Sequence, residues 1–370
     1  MHAGGAARLR TAIFVVLTLT ASTAATGCGG NSGSDGGPVK VGIALPTTKQ
    51  TRWIDDGNNM VKLFKDKGFA PDLQFAEDDV DKQIAQVQKM IDDGDKVLVI
   101  GAVDAFGLGE VLQQAHRAGV KVISYDRLLL GTSNVDYYAS FNNKKVGQLQ
   151  AQYIINKLGL EQNPDRHFNL EVFAGDSDDN NATAFFSGAM DTFSDSKHNY
   201  FKRKQLVIPS GLNRNSQVST LRWDAEIAGD TMTTRLKKYY ASSRVDAVLA
   251  PNDGIARGVI KALKEAGYGT ADKPMPVITG QDAEVDSVKE IINGEQSMTV
   301  YKDTRKLAER AVDMAEAVLK GEKPEINDTT TYDNGNKVVP AYLITPVSVD
   351  KSNYKKALID SGYIKASALK

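Results

Sequence analysis

The chain has 370 residues, 41% of them hydrophobic and 25% charged, with a formal net charge of −1. That is a globular composition with room for about two ordinary domains. Intermixed charges without a block of five or six like residues exclude a nucleic-acid partner, and a single cysteine, Cys28, excludes a disulfide framework.

The N-terminus has the pattern of an export leader. Arg8 and Arg10 precede an apolar stretch from Ala12 to Leu19, and small residues lead on to Thr26, Gly27 and Cys28. Cys28 follows Gly27 and opens onto the segment GGNSGSDGGP, so it resembles the lipidated cysteine of a bacterial lipobox, with Ala25 where Leu is commoner. The expectation is a leader over 1–27, a lipid on Cys28 and a flexible tether over 28–38 that cannot build a core. Beyond the leader no apolar run reaches the length that spans a bilayer.

From residue 39 short Val- and Ile-rich runs alternate with amphipathic stretches of helical period. VKVGIALP (39–46) predicts a strand and residues 54–68 a helix stopped by Gly68. DLQFAED, a helix over about 81–92, KVLVIGAV, a helix reaching 118, and VKVISYD continue a βαβαβαβ series. The alternation restarts after about 145 with FNLEVFAG, QLVIPSG, DAVLAPN and PVITGQD as strands. Continuous apolar strands separated by helices predict parallel sheets covered on both faces.

Residues 96–126 match 246–282 feature for feature: a strand, an Asp shortly after it, a helix closing in Ala-Gly, and a second strand finishing in Asp. The match predicts two similarly wound lobes. Ligands of open α/β sheets sit outside the carboxyl ends of the strands. If both lobes turn those ends inward, Asp126 and Asp282 face one cleft. Other strand ends carry Arg127, Asn252-Asp253 and Lys302, while Arg52-Trp53 follow the first strand and Trp223 lies in LRWD at a helix start. Taken singly, Asp and Asn at such places are often turn or cap residues. Their convergence in both halves points to polyol recognition: carboxylates and amides for hydroxyls, cations as donors, and an aromatic face for ring C–H groups.

The ordered segments TRWIDDGN (51–58), VLVIGAVD (97–104), KVISYDRL (121–128), DDNNA (178–182), TLRWD (220–224), PNDG (251–254), GQDAEV (280–285) and MTVYKDT (298–304) resemble the periplasmic sugar receptors of ABC importers, in particular the xylose-binding and multiple-sugar-binding receptors. The resemblance runs from about 39 to 370. It implies an α/β fold of the type I periplasmic-binding-protein kind: two similar doubly wound parallel-sheet lobes joined by a hinge of three crossings. The lobes are expected at 39–143 plus 304–335 and at 144–303 plus 336–370, with crossings near 143–145, 302–304 and 333–338. Asn142-Asn143 departs from the Asp-Asn of the relatives near that hinge.

The resemblance also implies roles. Arg52 and Trp53 are the first-lobe pair, with Trp53 stacking on the sugar. Asp126 and Arg127 grip ring hydroxyls, and Asp179 and Asn181 make polar contacts from a second-lobe helix. Trp223 is the opposite aromatic wall, so that a monosaccharide is sandwiched, and Asn252, Asp282 and Lys302 complete the second lobe. The partners implied are a xylose-like aldopentose or a glucose- or galactose-like aldohexose, ABC permease transmembrane subunits, and the membrane through Cys28. The protein is then an extracytoplasmic monomer that uses no cofactor and no metal.

Three other readings are weaker. A glycoside-active enzyme needs a carboxylate pair, which Asp126, Asp179 and Asp282 could supply, but their cationic and amide neighbours favour ionised acceptors over a general acid. A sugar-responsive repressor needs a DNA-binding module where the leader stands, and a chemoreceptor-coupled role is compatible with import. DSDDNN (176–181) lacks the Gly and Glu of a calcium loop, having Asn181 and Ser187 at those places.

Overall fold

The computed structural model describes residues 37–370. The leader, Cys28 and nearly all of the expected tether lie outside the described residues. The first half runs β1 (Lys40–Leu45), α1 (Thr51–Asp66), β2 (Ala70–Phe75), α2 (Val80–Asp92), β3 (Val97–Ile100), α3 (Gly109–Arg117), β4 (Lys121–Tyr125) and β5 (Tyr137–Phe141). The second half runs α4 (Asn143–Leu158), β6 (Phe168–Val172), α5 (Asn180–Phe193), β7 (Leu206–Val207), α6 (Asn215–Val218), α7 (Ala225–Tyr239), β8 (Ala247–Leu249), α8 (Asp253–Glu265), β9 (Val277–Ile278), α9 (Val285–Asn293) and β10 (Met298–Tyr301). The chain then returns through α10 (Thr304–Leu319), β11 (Ala341–Ile344) and β12 (Val347–Asp350).

The first sheet has the order β11-β5-β4-β3-β1-β2, parallel throughout. The second has the order β7-β6-β8-β9, also parallel, and a Gln281–Val300 bridge carries it on to the antiparallel pair β10-β12. Both sheets share one winding, with the second strand of each lobe outside the first. Apolar residues on both faces of β1 and β3 feed two cores: α1 and α10 cover one side, α2 and α3 the other. In the second lobe α7 and α8 cover one side, and α4 and α5 the other. The internal repeat is therefore real at the level of structure, β3-α3-β4 standing in the first sheet where β8-α8-β9 stands in the second.

Local signals explain several helix starts. Asp79 accepts a hydrogen bond from Lys82 N, Asn142 from Lys145 N, and Asp224 from Glu226 N and Ile227 N. Helix α1 begins at Thr51, three residues ahead of the periodic stretch, which puts Arg52 and Trp53 in its first turn.

The chain crosses between lobes at Asn142-Asn143, at Lys302-Asp303 and at Thr345-Pro346. The third crossing corrects the expectation of 333–338, and with it the assignment of 336–370 to the second lobe. Strand β11 pairs in register with β5, Ala341 opposite Tyr138 and Ile344 opposite Phe141, while Tyr332 and Val339 are buried in the first-lobe core. Pairing with a neighbouring edge strand and burial of those side chains hold 327–344 on the first lobe; only β12 and the C-terminal residues beyond it belong to the second.

Candidate functional site

Three of the residues expected at the cleft have left-handed backbone, which side-chain-bearing residues rarely adopt. Asp126 has φ 58°, Trp223 φ 58° after Arg222 at φ 53°, and Asp282 φ 98° before Ala283 at φ 52°. Each is held from behind. The Asp126 carbonyl accepts hydrogen bonds from Tyr138 Oη (2.6 Å), Ser140 Oγ (2.8 Å) and Asn181 Nδ2 (3.1 Å). Asp176 Oδ2 accepts from Arg222 N at 2.8 Å. The Trp223 ring then lies so close to Gly175 that a Cβ there would stand 2.0 Å from it, so only glycine leaves room for the ring. Strain of this kind collects at functional sites.

Asp179 caps α5 by accepting from Asn181 N (2.9 Å), which sets Asn181 and, one turn on, Phe185 facing the first lobe. Asn252 caps α8 by accepting from Ile255 N (3.0 Å), leaving Nδ2 as its remaining donor. Lys302 ends β10 and is 2% exposed, with its ammonium 5.5 Å from the Phe141 ring centre and 5.6 Å from that of Phe185.

All ten residues singled out from the sequence line one cavity between the lobes: Arg52, Trp53, Asp126, Arg127, Asp179, Asn181, Trp223, Asn252, Asp282 and Lys302. Gln50, Phe185 and Gln281 complete its wall.

The charges balance, three cations against three carboxylates, which suits a neutral ligand. They pair within each lobe, Arg52 with Asp126 at 2.8 Å and Lys302 with Asp282 at 3.1 Å, and across the cleft, Arg127 Nε with Asp179 at 2.9 Å, Arg52 with Asp282 at 3.7 Å and Lys302 with Asp126 at 4.0 Å. Burial alone would raise the Asp126 carboxyl, but the Arg52 and Lys302 charges overcome it and hold the group at about 2. Burial raises Asp179 despite Arg127, and lifts Asp56, which sits behind Arg52, to about 6.

Several buried polar atoms of this wall have no hydrogen-bond partner in the protein: Trp53 Nε1, Trp223 Nε1, Arg52 Nε, Gln281 Oε1 and Asp282 Oδ1. The last is close to Lys302 in charge but outside hydrogen-bond geometry. Burying such atoms unpaired is costly, so their concentration at one place fits a ligand that both donates and accepts. Trp53 is 1% exposed and belongs to the first-lobe core, with the Arg52 and Arg127 guanidinium groups 4.4 and 5.3 Å from its ring centre. Among the described residues that line the cavity there is no Ser, Thr, Cys or His to form a nucleophile–base pair.

Sequence reasoning missed Gln50, Phe185 and Gln281. Phe185 had a signal, being four residues after Asn181 on the same helix face. Its ring stands 6.2 Å from that of Trp223, edge on, so the second-lobe aromatic wall consists of two rings.

Comparison with known proteins gives a consistent picture. A family described as periplasmic binding protein domain matches residues 41–323. The multiple sugar-binding periplasmic receptor ChvE of Rhizobium radiobacter is 52% identical over 330 residues, covering 89% of this chain and 92% of that protein. The multiple sugar-binding periplasmic protein SbpA of Azospirillum brasilense is 54% identical over 323 residues, 87% of this chain and 89% of its own length. Among solved structures, an ABC transporter solute-binding protein from Clostridium phytofermentans with bound β-D-glucose superposes with a TM-score of 0.85 at 44% identity, covering 90% of this chain and all of that one.

Proposed function

The chain belongs to the periplasmic binding protein family, whose relatives here are receptors and not enzymes, and from that premise we propose that it captures a free aldose, D-glucose foremost, in the interlobe cavity. The observation that carries this reading is the convergence of ten polar and aromatic residues from both lobes on one small, charge-balanced space with unpaired buried donors and acceptors. Each sugar hydroxyl both donates and accepts, so it can satisfy Trp Nε1 and Asp282 Oδ1 alike. In this reading Asp126, Arg127, Asp179, Asn181, Asn252, Asp282, Arg52 and Lys302 hold hydroxyls, and Trp53, Phe185 and Trp223 face ring C–H groups.

Hydrogen bonds to charged groups contribute about 1.5–3 kcal/mol each. A handful, less the ordering costs, gives roughly −8 kcal/mol, or micromolar affinity. A ligand touching both lobes favours the closed arrangement by bridging them, with the three crossings as hinge. The glucose-bound relative at 44% identity supports glucose as the first sugar to test, and the multiple-sugar receptors support a broader range. The test is titration calorimetry with D-glucose, D-galactose and D-xylose. Micromolar or tighter binding of at least one is expected, and absence of heat with every free aldose would sink the proposal.

Delivery to an ABC permease outside the cytoplasm completes the reading, supported by the solute-binding relative. Tethering through Cys28 rests on the leader and on Gly27 before the cysteine, both outside the described residues. A labelled fatty acid should enter the parent protein in cells and be lost in Cys28→Ser; equal labelling of both would refute the tether.

A further inference from the structure

We propose that Asp253, which does not line the cavity, is a positioning residue for sugar capture: it locks the Gln281–Glu284 turn so that the Asp282 carboxylate faces the ligand. The inference rests on the receptor reading above and adds to it a residue outside the contact set.

An Asp in the first turn of a helix ordinarily serves that helix, by capping or by its charge. Here the cap of α8 is Asn252, and the Asp253 side chain turns away. Fully buried, it accepts three hydrogen bonds from elsewhere: Glu284 N at 2.9 Å and Thr299 Oγ1 at 3.1 Å on one oxygen, and Gln296 Nε2 at 2.8 Å on the other. Thr299 Oγ1 in turn accepts from Ala283 N at 3.1 Å, and Asp253 N donates to Gln281 O at 2.9 Å. Asp282 N donates to Val300 O at 2.9 Å. Four consecutive residues of the turn are thus tied, three of them directly or through one hydroxyl to Asp253.

The turn needs these ties because Asp282 and Ala283 both have positive φ without being glycine. A relaxed turn would swing the Asp282 carboxylate out of reach of Lys302 (3.1 Å) and Arg52 (3.7 Å), and so out of the cavity. There is little slack for another arrangement: a Cβ on Gly280 would stand 2.2 Å from Asp253 Oδ1.

The test is a double-mutant cycle read by glucose titration of the full chain. Asp253→Ala is expected to weaken glucose binding about 10-fold or more, while in an Asp282→Asn background the same change costs at most about 2-fold, since the residue acts through Asp282. Losses that multiply independently would overturn the proposal, as would wild-type affinity in a folded Asp253→Ala. If that variant does not fold, Thr299→Val, which removes the hydroxyl linking Ala283 N to Asp253, replaces it with the same expectation. Asp253→Asn should recover most of the affinity, because one amide oxygen can still accept from Glu284 N and Thr299 while Gln296 turns its own unpartnered oxygen to the new amide. A parent protein that binds no aldose overturns the receptor reading itself, a result distinct from binding that ignores Asp253.

Discussion

Asp126→Ala is expected to weaken glucose binding by at least about 100-fold, because one carboxylate that can accept from two hydroxyls disappears and each such bond contributes about 1.5–3 kcal/mol. The change does more than remove a contact. Asp126 neutralises Arg52 at 2.8 Å and Lys302 at 4.0 Å in a site that admits little water. Removing one partner of a buried charge cluster costs about 3–5 kcal/mol, so the variant should also unfold at lower urea. Calorimetry on the variant, with circular dichroism to establish that it is folded, decides the point; near-parental affinity would exclude Asp126 from the site. The same geometry sets a pH dependence. Asp126 is held at about 2 against an ordinary 3.8, so its folded value is depressed. Its contribution is fully present above about pH 4 and is lost as pH falls through 2, amounting to about 2 kcal/mol by linkage. The stability advantage of the parent over Asp126→Asn should shrink over that window, and an advantage unchanged at pH 2 would contradict the assignment.

Gly147→Ala is the second large effect, and it acts through the backbone. Helices α4 and α5 approach so closely that a Cβ on Gly147 would stand 1.9 Å from Phe185 O and 2.7 Å from Ala189 N, while one on Gly188 would stand 2.1 Å from Lys144 O. Those atoms are main chain and cannot rotate aside, so the helices must part. Overpacking of this severity costs about 3 kcal/mol, which outweighs the gain of about 1 kcal/mol in helix propensity from Gly to Ala. Thermal unfolding should move down by several degrees. Because α5 carries Asp179, Asn181 and Phe185, sugar affinity should fall with it. Gly109→Ala, where nothing lies within 4 Å of the added methyl, is the control and should leave both unchanged or slightly improved. Equal melting temperatures for the parent and Gly147→Ala would refute the packing argument.

The two lobes, their parallel sheets and the wall residues at strand ends and helix starts were legible in the sequence because each depends on local pattern, whereas Asp179 and Asn181 entered only through the resemblance to the sugar receptors. A Val- or Ile-rich strand, a helix of period 3.6 and the residues just past the strand end are contiguous in the chain, and doubly wound sheets present those ends to a ligand whatever else varies. The third crossing was not legible. AYLI (341–344) is a four-residue strand whose lobe is set by hydrogen bonds to β5, some two hundred residues earlier. The tertiary structure alone turned Asp253 towards Glu284 and away from its own helix. It alone placed Asp126 and Asp282 in left-handed conformations and paired Arg52 and Lys302 with both. Residue types at strand ends follow from short-range periodicity, whereas side-chain direction, charge pairing and edge-strand partners arise only when distant segments meet, and nothing in the local sequence encodes those distances.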